Sequence, residues 1–366
     1  MQLIRLKKLK TFLYVTLSCT LLWMISQYSF LERIVTYPRK SEVTQSSWYS
    51  PLETVQGDFK AELEALDEST LQTLKPNLEK LEAYAMARNT AGLLVLYRGK
   101  IALEKYSPQF SVESTTNSMS MAKTVLALLI GIAIDEGKIY SVKDSVAQYI
   151  PEWRNDSRSQ ITLEHLLHMT SGLSFDDNAN SLFSDIVSLH VGTQIKSLVL
   201  GVKPKKSPGL EYEYLNINSQ ILSLILERAT GQRYSEYLSS RLWRRIGAKT
   251  AHLWLDQKNG TSKTYCCLFT TVRDWARVGQ LLLNSSSNRQ SSSIVSPHWI
   301  RAMTTPSPLK ETYGYHITLG KNAFYLDGRG KQKVYVIPEQ DLVIVRVGEA
   351  PQDWDDSVFT QIKLHI

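Results

Sequence analysis

Cysteine is nearly absent from this 366-residue chain: Cys19 and the adjacent pair Cys266 and Cys267 are its only three. So few thiols exclude a disulfide framework, and stability has to come from packing. Neighbouring cysteines seldom bridge, because the peptide between them is hard to bend into the required geometry, so Cys266 and Cys267 are expected as buried thiols. Glycine (18) and proline (12) are sparse as well, which excludes collagen-like and low-complexity chains. The folded body also lacks charge of one sign. The formal charge is 42 − 35 = +7, but residues 1–40 hold seven Lys or Arg and one acid, leaving 35 − 34 = +1 for the other 326. A basic nucleic-acid-binding face is therefore excluded. What the chain does have is 43 % apolar residues, enough for the core of one large domain or two small ones.

One long hydrophobic run is present. Thr11 to Leu31 contains no charged residue in 21 positions and is preceded by Arg5, Lys7, Lys8 and Lys10. That length matches one bilayer-spanning helix, and a basic flank stays cytoplasmic. The expectation is a cytoplasmic N-terminus (1–10), a single-pass signal anchor (11–31) in a bacterial inner membrane, and everything beyond it in the periplasm. A cleaved signal peptide is the rival, but Ser26-Gln27-Tyr28-Ser29-Phe30 offers no small-x-small cleavage site.

Residues 32–85 are polar and mixed and predict a stalk and a lead-in helix around Lys60–Leu66, with no chemistry. From residue 86 the folded domain begins. Leu93–Tyr97 and Ile101–Tyr106 flank Arg98-Gly99-Lys100 as a hairpin. Thr124–Ile134 is apolar on every face and stops at Gly137, a buried helix too short to cross a membrane. Helical periodicity continues through Gln220–Thr230 and Tyr234–Ile246. Strands return at Gln332–Ile337 and Leu342–Val347, with a helix-like tail from Asp355. Strands at both ends and helices between them predict an α+β domain whose mostly antiparallel sheet carries a helical insertion. Ser285–Ser293 reads as a polar surface loop.

Three segments bear chemistry. Ser120-Met121-Ala122-Lys123 stands at the head of the apolar helix, where a spacing of three returns both side chains to one face. Lys123 thus comes within reach of the Ser120 hydroxyl, and a desolvated lysine loses basicity toward the value a general base needs. The helix N-terminus favours an alkoxide, and the Ser120 N–H is an oxyanion donor. About ninety residues on, Tyr214 and Asn216 form a Y-x-N pair: a phenol that can pass protons and ionises more easily beside an ammonium, and an amide that can hold a substrate carbonyl. Between them lies Ile161–Leu173. Its His165 and His168, without a third ligand, predict no metal site.

With these motifs in this order, the chain resembles the serine β-lactamase and penicillin-binding-protein superfamily, most of all its class C-like esterase branch and the 6-aminohexanoate-oligomer hydrolases. The similarity covers roughly residues 88–350 and includes Gly131-Ile132-Ala133, Tyr149-Ile150-Pro151-Glu152 and Arg273–Gly279. It implies a β-lactamase/transpeptidase-like fold, a serine hydrolase without cofactor or metal, and an ester or amide substrate of small size. Ser120, Lys123 and Tyr214 are the implied catalytic residues. The family's C-terminal-strand motif, Lys-Thr-Gly or His-x-Gly, corresponds to Leu326-Asp327-Gly328, where the cation is missing. On that match Gly328 permits close approach of the strand, and Arg329 N–H is the second oxyanion donor. The basic run Gly328–Gln332 reads as a solvated turn or a site for an acidic substrate group. Missing Lys or His at position 326 also leaves open a sensor that kept the fold without turnover. Oligomeric state is not legible.

Overall fold

The computed structural model describes residues 28–286 and 294–364, together with Phe12, Tyr14 and Thr16. Most of the expected anchor, 11–31, and most of the loop 285–293 therefore lie outside the described residues. Among the described residues no helix is long and apolar enough to cross a membrane.

The elements that position the site are α1 (Tyr28–Thr36), β1 (Leu52–Val55), α2 (Glu68–Met86), β2 (Thr90–Tyr97), β3 (Lys100–Tyr106), β4 (Thr116–Asn117), α3 (Ala122–Asp135), α4 (Asp185–Val191) and α5 (Asn216–Thr230). They are followed by β5 (Ala251–Trp254), β6 (Leu268–Thr270), α6 (Val272–Ser286), β7 (Thr318–Leu319), β8 (Phe324–Gly328), β9 (Gln332–Ile337) and β10 (Leu342–Gly348). A six-stranded sheet runs β3-β2-β10-β9-β8-β7, antiparallel throughout. The two chain ends thus build one sheet, as the strand order predicts. A second, four-stranded antiparallel sheet runs β1-β5-β6-β4.

Strand β2 is buried along its whole length, and its alternation feeds two cores. Leu94 and Leu96 face the large core around α3. Leu93, Val95 and Tyr97 face a smaller one filled by Leu74, Leu78 and Leu81 of α2. Helix α2 starts where Asp67 accepts a hydrogen bond from the Thr70 N–H at 2.9 Å. Helix α3, buried from Ala122 through Ala133, is the central rod.

Helix α6 lies against the large sheet through Gly279, where an added Cβ would stand 2.5 Å from a Val343 methyl and 2.8 Å from one of Val334. Gly279→Leu is therefore expected to cost about 3 kcal/mol or more by overpacking, read as a lowered urea midpoint with an unchanged slope.

Two expectations need correction. The stretch after residue 31 is no stalk: α1 packs beside α4 and β1 pairs with β5. Arg33 is buried and donates to the carbonyls of Ser50, Val191, Gly192 and Asp256 at 2.8–3.3 Å. Long-range carbonyl acceptors explain why a polar, non-periodic segment folds down here. Cys266 and Cys267 are also not free thiols but form a disulfide with each other. They sit in the turn leading into β6, with Cys267 at φ +71°, and that left-handed residue turns the two side chains together.

Candidate active site

The turn before α3 carries the nucleophile candidate. Met119 adopts φ +46°, a costly conformation for a non-glycine residue. It is held there by its N–H on Asn117 Oδ1 at 3.1 Å and by Ser118, which exchanges bonds with Leu268 of β6 at 2.9 and 3.0 Å. Ser120 follows on a single 3₁₀ turn, and α3 begins two residues later. β8 presses against this turn from the other side. A Cβ on Gly328 would lie 2.7 Å from the Ser118 carbonyl oxygen, so glycine is required there by contact with the nucleophile turn.

Lys123 is buried (1 % exposed). Its Nζ is 2.8 Å from each of three oxygens: Ser120 Oγ, Asn216 Oδ1 and the Tyr265 carbonyl. Loss of hydration lowers its pKa to about 7, against the opposing pull of Asp177. A neutral amine in this place donates to Asn216 and Tyr265 and accepts from the Ser120 hydroxyl. Tyr214 borders the same cleft as Ser120, and its ring lies 5.2 Å (to the centroid) from Lys123 Nζ and edge-on to Tyr313. Burial, the largest influence, pushes the phenol well above its ordinary value.

Ser120, Lys123, Tyr214 and Asn216 converge. Asn216 is engaged at both ends, taking Lys123 on Oδ1 and donating through Nδ2 to Asp177 at 3.3 Å. It orients the lysine, and the expected grip on a substrate carbonyl is not its present arrangement. Gly328 and Arg329 border the same cleft. The Arg329 side chain turns away to pair with buried Glu42.

Two cavities meet at Ser120. The first, about 530 Å³, is bordered by Tyr212, Tyr214, Tyr313, Lys310, Lys331 and Asp327. The second, about 360 Å³, is bordered by the α1 arm and α4. His316, on the first, is neutral: burial and Lys123 lower its pKa to about 3, and it bonds Ser219 and the Leu167 carbonyl. His165 caps its own helix through Thr162, and His168 packs on Tyr315. Neither touches the other's ligands as a metal pair would. His190 lies beside the two cysteine sulfurs, but the sulfurs are bonded to each other and both ring nitrogens are occupied by the hydroxyls of Tyr265 and Tyr37.

Reading the sequence misses Asp177, Tyr265, Tyr37 and Glu42. Tyr265 contributes a backbone carbonyl, for which no side-chain pattern exists. Asp176-Asp177 in a polar loop is a signal that an acid could have carried, but nothing local ties it to Lys123.

The chain belongs to the β-lactamase family: the family profile described as Beta-lactamase matches residues 78–356. Its fold is that of the serine hydrolases of this family. Over 249 residues it is 26 % identical to the 6-aminohexanoate-dimer hydrolase of Paenarthrobacter ureafaciens, covering 64 % of this chain and 62 % of that one. It spans less than two thirds of the length of the curated relatives first matched. Among solved structures it superimposes on EstCE1, a hydrolase with promiscuous acyltransferase activity, with TM-score 0.64, 14 % identity and coverage of 81 % and 98 %. A family VIII carboxylesterase gives TM-score 0.61, 15 % identity and coverage of 79 % and 94 %. These two likenesses concern the fold.

Proposed function

We propose that this protein is a serine hydrolase, held in a bacterial inner membrane by residues 11–31 with its domain in the periplasm, that cleaves an ester or amide through an acyl-enzyme on Ser120. The observation that carries the chemistry is a buried amine, Lys123, 2.8 Å from Ser120 Oγ. The neutral amine takes the hydroxyl proton as Oγ bonds to the substrate carbonyl carbon. The N–H groups of Ser120 and Arg329 are assigned to the oxyanion. Tyr214 hands a proton to the departing oxygen or nitrogen as that bond breaks, and regains one from Lys123. Water then adds to the acyl carbon, gives its proton to the same base, and Ser120 leaves with the proton restored. No cofactor or metal enters. The basic flank and uncharged run at the N-terminus support the anchor and its orientation.

The test is covalent labelling. A fluorophosphonate probe is expected to label the wild-type protein and spare Ser120→Ala, with release of 4-nitrophenol from its acetate ester by the wild type alone. No labelling and no release from a folded wild type would sink the hydrolase reading. Leu326 and Asp327, in place of a family cation, favour one rival, a penicillin-responsive sensor. Slow labelling by a fluorescent penicillin without ester turnover would establish it.

A further inference from the structure

The two N–H groups assigned to the oxyanion come from separate elements, Ser120 from the turn before α3 and Arg329 from the end of β8. Such donors stabilise the charge only if both point at the same oxygen. Residues that tie the two elements together lie well upstream of residue 78, where the family match begins. We propose that the N-terminal arm clamps the oxyanion turn to the nucleophile turn through Glu42 and Val43, with Glu42 the positioning residue for Arg329. The clamp rests on Ser120 as nucleophile and on the N–H groups of Ser120 and Arg329 as the oxyanion donors.

Glu42 holds Arg329. Its carboxylate is buried (5 % exposed) and takes the Arg329 guanidinium on one oxygen. The other oxygen accepts Tyr37 Oη at 2.7 Å, and the Glu42 carbonyl accepts Tyr49 Oη at 2.6 Å. Tyr49 is itself packed against Trp254 and Phe269 in the large core. Without the guanidinium Glu42 would be a buried charge lacking its counter-ion, so the pair resists separation.

Val43, fully buried, reaches the nucleophile turn. Its carbonyl accepts the Asn117 N–H at 2.9 Å, and Asn117 Oδ1 holds Met119, the residue before Ser120. Its side chain meets the oxyanion turn, where a Cβ on Gly330 would stand 3.2 Å from Val43 Cγ2. Ser46 adds a bond from its hydroxyl to the Thr115 carbonyl at 2.7 Å. The sheet holds the residues on either side of Arg329: Gly328 presses on the Ser118 carbonyl, Arg346 and Ala350 donate to the Gly330 carbonyl at 2.7 and 2.9 Å, and Gln332 donates to the Asn117 carbonyl at 2.7 Å. Arg329 between them is held by the arm. The turn it begins carries two left-handed residues, Gly330 at φ +79° and Lys331 at φ +60°, the second a costly conformation for lysine that needs outside support.

The experiment measures kcat/KM of the full-length protein on 4-nitrophenyl acetate and on its thiono counterpart, in which sulfur replaces the carbonyl oxygen. The donors are placed for oxygen, so their contribution shows in the ratio of the two rates, whereas loss of folded protein lowers both alike. Glu42→Ala is expected to lower the rate on the oxygen ester about 10- to 100-fold, less than the loss of a whole donor, and the rate on the thionoester less than about threefold. Arg329→Ala keeps the N–H and breaks the same contact from a side chain that is 68 % exposed, so the fold is little threatened. It is expected to lower the ratio to the same degree, and it decides the matter alone if Glu42→Ala does not fold. The double variant is expected to lose no more than either single one. An unchanged ratio in the folded variants, or losses that multiply in the double variant, overturns the clamp and leaves the hydrolase standing. No turnover of either ester and no fluorophosphonate labelling of the wild type removes the nucleophile reading itself, and the clamp with it.

Discussion

Ser120→Ala and Lys123→Met are each expected to lower kcat/KM about 10⁴-fold or more on an amide or alkyl ester, and the double variant is expected to lose no more than either alone. On the proposed mechanism the two side chains act as one unit. A serine hydroxyl at its ordinary acidity is a poor nucleophile, and the amine 2.8 Å away is the base proposed for it. Lys123 serves only when uncharged. Its pKa is lowered to about 7 because burial strips the ammonium of water, against a smaller contrary effect of Asp177. The sign is then fixed. Below that value the amine is protonated and cannot take the hydroxyl proton, so kcat/KM rises with pH through an apparent pKa near 7 and levels above it. Asp177→Asn removes the acid that favours the ammonium, and the midpoint moves to lower pH. A midpoint unmoved in Asp177→Asn, or losses that multiply in the double variant, would show that the serine and lysine do not form this pair. Circular dichroism of each variant separates lost chemistry from lost fold.

How much of this was legible beforehand depends on how local each signal is. The S-x-x-K pair is read directly, because three residues of helix place both groups on one face and the apolar run behind them declares the helix. The sheet is legible from hydrophobic runs at the two ends, β2 and β3 against β9 and β10. Tyr214 and Asn216 are legible through their order relative to Ser120 and Lys123, although their electrostatics are not. Partial desolvation of the phenol and engagement of both ends of the amide are tertiary facts. The arm was illegible for a physical reason. Residues 37–50 show neither a 3.6 nor a 2.0 period, and the arm is held by contacts distant in sequence: Arg33 on carbonyls up to 223 positions away, Glu42 on Arg329, and Tyr49 against Trp254 and Phe269 in the core. Pairings of that separation leave no trace in a local pattern. The Cys266–Cys267 bridge depends likewise on one residue at φ +71°, which composition does not announce. A chain in which the candidate chemistry is local and its enclosure is not divides this way: the Ser120 and Lys123 pair is read from spacing, and the walls of the cavities beside it are not.

Tyr214→Phe is expected to separate bond breaking from proton delivery. The phenol stays protonated through neutral pH, because loss of hydration in the cleft raises it above its ordinary value. It is held by Tyr313 edge-on and Lys123 above its ring, contacts that phenylalanine keeps, so the variant removes one hydroxyl and little else. An amine or alkoxide cannot leave without a proton, and there the loss is expected to be about 10²- to 10⁴-fold in kcat. 4-Nitrophenolate leaves without one, and on its esters the loss should be less than about tenfold, since attack by Ser120 still has Lys123 as base. The ratio of rates on an alkyl ester and a nitrophenyl ester of the same acid is therefore the reading, with both measured above pH 8 so that Lys123 is neutral. Equal losses on the two esters would place Tyr214 in the attack step, as a co-base with Lys123. No loss on either would leave the Tyr214 ring as packing beneath the lysine, and the proton for the leaving group would have to come from Lys123 itself.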